Sequence, residues 1–198
     1  MPRKLTLPDI ADQRAYERER EEFRRHIIDL KALRRISVGP VVTLVFENRD
    51  TVRFQVQEMA RAERILTDEG IQTELDIYNP LIPEPGQLSA TLFLELTSEP
   101  AMREWLPRLV GIERSIVLRL ADGREVRARP EQAHEAQLTR EDVTAAVHYI
   151  WFELSADDVT AFTSGPVSVV VDHPEYPHEA LLGAGSVAEL AADLASDG

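Results

Sequence analysis

The stretch VTLVFENRDTVRFQV, from Val42 to Val56, sets two alternating apolar triplets on either side of a charged tip. Val42, Leu44 and Phe46 alternate on the first arm and Val52, Phe54 and Val56 on the second, so as a strand pair both triplets must face one side. A two-residue loop would bring Phe46 against Arg53, burying charge beside the apolar stripe. A three-residue loop of Asn48, Arg49 and Asp50 instead pairs Phe46 with Val52 and Leu44 with Phe54. The pattern therefore predicts a hairpin with that loop and with Asp50 in the left-handed position.

The same device recurs in SIVLRLADGREVRAR. Ile116, Leu118 and Leu120 match Arg124, Val126 and Ala128 if Ala121, Asp122 and Gly123 form the loop, with glycine supplying the positive φ. A long helix is expected before the first hairpin, from Leu5 to Ile36, with Thr6 and Asp12 as caps. Tyr16, Phe23, Ile27 and Leu30 form its apolar stripe. Between the hairpins the periodicity predicts a helix from Gln57 to Glu69 stopped by Gly70, then a shorter one carrying Ile71, Leu75 and Tyr78. The stiff loop NPLIPEPG, a strand from Leu88 to Leu96 and a helix capped by Ser98 follow.

Arg129 to Asp142 is polar and lacks sustained periodicity, which suggests a linker. Beyond it, a strand over Val147 to Leu154 leads into a helix opened by a capping box of Ser155 and Asp158. A strand over Val167 to Val171 and a last helix with a box of Ser186 and Glu189 complete the chain. The expected class is α+β: a mixed or antiparallel sheet with two three-residue-loop hairpins packed against helices, and a long N-terminal helix. The main domain spans residues 1–128, the linker 129–142, and residues 143–198 form a smaller C-terminal β-α-β-α unit, separate or packed into the same domain.

Composition removes several function classes. The 198 residues contain no cysteine, which excludes thiol nucleophiles, thiolate zinc sites and cysteine-held iron–sulphur clusters. No apolar run is long enough to span a membrane, and the first residues carry charge where a signal peptide needs an apolar stretch, so a cytoplasmic protein is expected. The net charge of −13 is concentrated toward the C-terminal end, and an acidic surface repels phosphate backbones, so no nucleic-acid partner is expected. No glycine-rich phosphate loop or nucleophile elbow is present.

Two clusters remain. Asp172, His173, His178 and Glu179 follow a predicted strand in DHPEYPHE, where imidazole and carboxylate together could hold a transition metal. An acidic, proline-rich surface loop explains them equally well, and no cofactor is predicted. The second cluster is RFQVQEMAR with its neighbours. Arg53, Gln55 and Gln57 project opposite the apolar triplets, Glu58 and Arg61 stand at i and i+3 of the following helix, and Tyr78 and Asn79 reach them across the stiff loop. They form either a polar network locking helix to sheet or a ligand surface.

The blocks VFENRDTVRFQVQEMARAERI, ELDIYNPLIP, LFLELTSEPAMREWLPRLVGIERS and GPVSVVVDHPEY resemble an uncharacterised bacterial family, the domain of unknown function numbered thirty-five-oh-one. The resemblance implies no activity and no catalytic residues. It does imply an accessory role around iron–sulphur or rubrerythrin-like oxidoreductases. The expected function is thus a non-enzymatic cytoplasmic protein that binds a protein partner. The alternatives are a metal-dependent enzyme or sensor at the His and carboxylate cluster, and a small-molecule site near Arg53, Glu58, Arg61 and Asn79.

Overall fold

The computed structural model describes residues 4–130 and 143–195. It is an α+β protein with two antiparallel sheets facing each other across one core. A short 3-10 turn over Leu7–Asp9 is capped by Thr6. Helix α1 (Gln13–Arg34) opens where the Asp12 carboxylate accepts from the Ala15 amide at 2.9 Å. The chain passes straight from α1 into β1 (Arg35–Val38), then turns into β2 (Val42–Glu47).

The first hairpin is thus β1 with β2, and not the expected pair of Val42–Phe46 with Val52–Val56. Asn48 is no loop residue but the N-cap of α2 (Arg49–Glu63): its side chain accepts from the Thr51 amide while the Thr51 hydroxyl accepts from the Asn48 amide. Val52, Val56 and Ala60, spaced four apart, are the buried stripe of that helix. Arg64 ends α2 in the left-handed conformation (φ 55°), and Thr67 caps α3 (Asp68–Tyr78), so Gly70 lies inside a helix and does not stop one. The helix expected from Gln57 to Glu69 is in fact the end of α2, a turn, and the start of α3.

The remaining elements are β3 (Gln87–Leu94), α4 (Glu99–Arg108) capped by Ser98, β4 (Ile116–Arg119), β5 (Glu125–Arg127), β6 (Arg129–Pro130), β7 (Val147–Glu153), α5 (Ala156–Ser164), β8 (Ser168–Val171), β9 (His178–Leu181) and α6 (Ala184–Ala195). The second hairpin has the expected register, with Leu118 opposite Val126 and Gly123 at φ 86° in a three-residue loop. The capping box of Ser155 and Asp158 forms as expected. The one expected at Ser186 does not: α6 already begins at Ala184, and Glu189 is turned to an arginine of α1. Arg129 and Pro130, placed in the linker, pair with β7 as a strand, and the rest of that linker lies outside the described residues.

The strand order is β1-β2-β3-β7-β6 in one sheet and β5-β4-β8-β9 in the other. Strands from the two ends of the chain therefore share both sheets, with β7 beside β3 and β8 beside β4. Ile36, Leu44, Phe46, Ala90, Leu92, Ile150 and Phe152 fill the inner face of the five-stranded sheet, against Ile116, Leu118, Val126, Val169 and Val171 of the other. Tyr176 ties the sheets at one edge, donating to the Val38 carbonyl at 2.8 Å and accepting from the Val41 amide at 2.9 Å. The outer face of the five-stranded sheet meets α2, α3 and the N-terminal segment in a second, smaller core built on Leu5, Val52, Val56, Leu75, Leu81 and Ile82.

Candidate functional site

Most of the polar cluster singled out in the sequence is consumed in holding α1 and the N-terminal segment onto α2 and α3. The Glu58 carboxylate accepts from the Tyr16 phenol at 2.7 Å and from Arg20 Nε and Nη2 at 2.8 and 2.9 Å. The Arg20 hydrogen bonds, with help from Tyr16 and against the cost of burial, hold Glu58 below the usual carboxylate range. Burial, reinforced by the Glu58 contact, pushes the Tyr16 phenol up. Gln57 is buried and pairs both ways with the Ala11 backbone, at 2.7 and 3.2 Å. Asn79 does the same with Leu5, at 2.8 and 2.9 Å.

Arg53 donates to the Asp9 carbonyl and to Glu19, both at 2.9 Å, and lies over the Phe23 ring with 4.7 Å to its centroid. Arg61 pairs with Glu17 at 2.6 Å. Five of the seven residues are thus engaged within the chain, in contacts that join the N-terminal segment and α1 to the helices that follow. Gln57 and Arg61 also line a cleft of about 160 Å³ beside Tyr16 and Ile71, and Gln55 and Tyr78 line a second one.

The metal candidates are not gathered at one point. Asp172 pairs with Arg127 at 2.6 Å and Glu179 with Arg119 at 2.7 Å. His173 is buried against the Val110 carbonyl and the Glu175 amide, and the His178 ring packs on Tyr176 with centroids 4.2 Å apart. Among the described residues, no group of three or more His, Asp or Glu side chains is placed to hold a metal ion.

A different feature stands open. Arg24, Ile27, Ile28, Lys31, Ala32 and Arg35 of the α1 and β1 segment, with Phe54 of α2, line a groove between the helices. Ile28 is half exposed in it. At Lys31 and Arg35 the groove runs into a cleft of about 180 Å³ over the outer face of the five-stranded sheet. The cleft's floor is one cross-strand row, Arg35, Val45, Thr91 and Tyr149, set by the registers of β1, β2, β3 and β7. Phe93 and Val147 lie on the next row. Glu47 sits at the edge, its carboxylate accepting from Thr51 at 2.5 Å and Thr91 at 2.7 Å.

Chemically, groove and cleft offer apolar and aromatic contact, fixed charges of both signs and an amide. Apolar walls with a few fixed polar groups are an arrangement suited to binding. Sequence reasoning reached Gln55 and Tyr78 but missed Lys31, Arg35, Glu47, Thr91 and Tyr149. Arg35, Glu47, Thr91 and Tyr149 converge through strand register, which the mistaken hairpin concealed, and Lys31, on α1, stands one helical turn before Arg35.

A solved structure of a novel protein of unknown function from Burkholderia pseudomallei K96243 is similar over 96% of this chain and 99% of that one, with 37% identity and a TM-score of 0.88. The comparison with curated proteins gives no match. A family model described as protein of unknown function (DUF3501) matches residues 4–194. Matched over nearly its whole length, and sharing its fold with that bacterial protein, the chain belongs to the DUF3501 family.

Proposed function

We propose that this protein is a non-enzymatic, cytoplasmic accessory protein that binds an acidic, amphipathic segment of a partner protein along the groove between α1 and α2. The observation that carries this is the local reversal of charge: Arg24, Lys31 and Arg35 stand around Ile28 and Phe54 in a chain whose net charge is −13. Arg24 and Lys31 form no ion pair with a described residue, and Arg35 shares only Glu95, at 3.0 Å with both side chains half exposed. Beyond a screening length of about 8 Å at physiological salt the bulk negative charge fades, so the cationic strip governs at contact range. Apolar and aromatic side chains framed by arginine are also the composition of interface centres.

The partner class implied by the family resemblance is an iron–sulphur or rubrerythrin-like oxidoreductase. A chain without cysteine fits beside such a partner, which would bring the metal centre itself. A photo-crosslinking residue at position 28, compared with one at the still more exposed Leu181 of the other sheet, tests the proposal in the native host. The expected result is one protein joined from position 28 and not from 181, carrying an acidic amphipathic segment and re-forming the complex when purified. Equal labelling from both positions, or none from position 28, contradicts it.

A further inference from the structure

The cleft at the end of the groove has features that a partner's surface segment does not require. Glu47 and Lys31 both line it, yet they form no ion pair with each other, so two opposite charges face one small cavity unneutralised. The Glu47 carboxylate is held in place by the Thr51 and Thr91 hydroxyls, both threonines being buried. Those two bonds use about half of a carboxylate's lone-pair sites, so a fixed acceptor keeps capacity for another donor. Arg35 lies opposite Val45 in the β1–β2 register, which makes Glu47 its diagonal neighbour on the same face. Such neighbours stand about 7–8 Å apart at the backbone, room for one small group to touch both side chains.

Apart from the Gln55 amide, the remaining surfaces are apolar or aromatic: Val45, Val52, Phe93, Val147, Tyr78 and Tyr149. At about 180 Å³ the cleft is smaller than the sites of drug-sized ligands or nucleotides, roughly 300–1,000 Å³. A simple carboxylic acid would leave Glu47 facing a second negative charge, and a simple amine would leave Lys31 and Arg35 facing a second positive one. A small zwitterion answers both.

We infer that this cleft binds a free α-amino acid with an apolar side chain, its ammonium on Glu47, its carboxylate toward Lys31 and Arg35, and its side chain over Phe93, Val147 and Tyr149. The cleft shares Lys31 and Arg35 with the groove, whereas Glu47, Val45, Thr91 and Tyr149 line the cleft and not the groove, so Glu47→Gln reads the amino-acid site without touching the docking groove.

Calorimetric titration of the full chain with leucine, methionine and phenylalanine tests this, with leucine amide and the deaminated acid of leucine as controls. At least one amino acid should bind, and the two controls should bind about tenfold more weakly or worse, as expected when a charged hydrogen bond is lost. Glu47→Gln should weaken binding comparably. Because that change also touches Thr51 and Thr91, Lys31→Ala provides a second reading: an unchanged melting temperature with affinity reduced about tenfold. The inference is overturned if no apolar amino acid binds at about 10 mM, a concentration at which even a weak site registers. It is equally overturned if either control binds as well as the amino acid, or if Lys31→Ala binds like the parent protein.

Discussion

Tyr16 of α1 donates its phenol to Glu58 of α2 at 2.7 Å, and the tyrosine is buried. Around this contact Arg20, Arg61 and Gln57 complete a lock that fixes the helical layer before anything can dock on it. Glu58→Ala leaves a buried hydroxyl without its acceptor and should cost about 1–3 kcal/mol. In a chain of this size that lowers the melting temperature by roughly 2–4 °C per kcal/mol, measured by thermal denaturation. Tyr16→Phe, which keeps the Arg20–Glu58 pair, should cost less.

The same contact sets a pH dependence with opposite signs at its two ends. Glu58 is held below its ordinary 4.5 by Arg20, so the stability it contributes is present above that value and is lost as pH falls through the lower folded-state pKa. Tyr16 is raised above its ordinary 10.0 by burial, so its contribution is intact below pH 10.0 and is lost as pH rises through the higher folded-state pKa. Urea melts across both limbs should show Glu58→Gln flattening the acid limb and Tyr16→Phe the alkaline one.

Gly39 and Tyr176 meet at the edge where the sheets join. Gly39 has φ 70°, and a side chain there would run into the Tyr176 hydroxyl and the His178 ring. Gly123, at φ 86°, has open space around it. Gly123→Ala should therefore cost only the left-handed strain of about 1–2 kcal/mol, while Gly39→Ala should cost distinctly more. Tyr176→Phe strips the Val41 amide and Val38 carbonyl of their partner. In a double-mutant cycle it should couple to Gly39→Ala and not to Gly123→Ala.

Arg34 is 1% exposed and is clamped by Glu189 and Asp193 of α6, each at 2.7 Å. Replacing both acids, Glu189→Gln with Asp193→Asn, leaves a buried guanidinium without its counter-charges and should cost about 3–5 kcal/mol. Hydrogen exchange should locate the loss in α6, because the clamp is what ties that helix to α1.

The second hairpin was legible because turn chemistry and alternation agree there: Gly123 can sit only in the loop, and the loop fixes Leu118 opposite Val126. The first was misread because Val52 and Val56 satisfy both periods, two apart through Phe54 and four apart through Ala60. The cap decides between them. Asn48 with Thr51 three residues on is a helix start, but with threonine in place of the usual Glu or Gln its signature is weak. β1 was hidden for a related reason: α1 runs into it at Arg34 and Arg35 with no breaking residue, so Ile36 passes for the end of a helix. Of the cleft, only Gln55 and Tyr78 were visible, because Arg35, Val45, Thr91 and Tyr149 meet through pairings across four strands, which local pattern does not encode.

The central claim, that the groove between α1 and α2 docks an acidic amphipathic segment, is tested most directly by titrating the purified crosslinked partner against three forms of the full chain. Ile28→Asp should weaken the complex about tenfold or more by placing a charge at the apolar centre. Lys31→Glu should weaken it and reduce its salt dependence, since an exposed charge at the rim governs encounter and screening. If both variants bind the partner as tightly as the parent, with the same salt dependence, the groove is not the docking site.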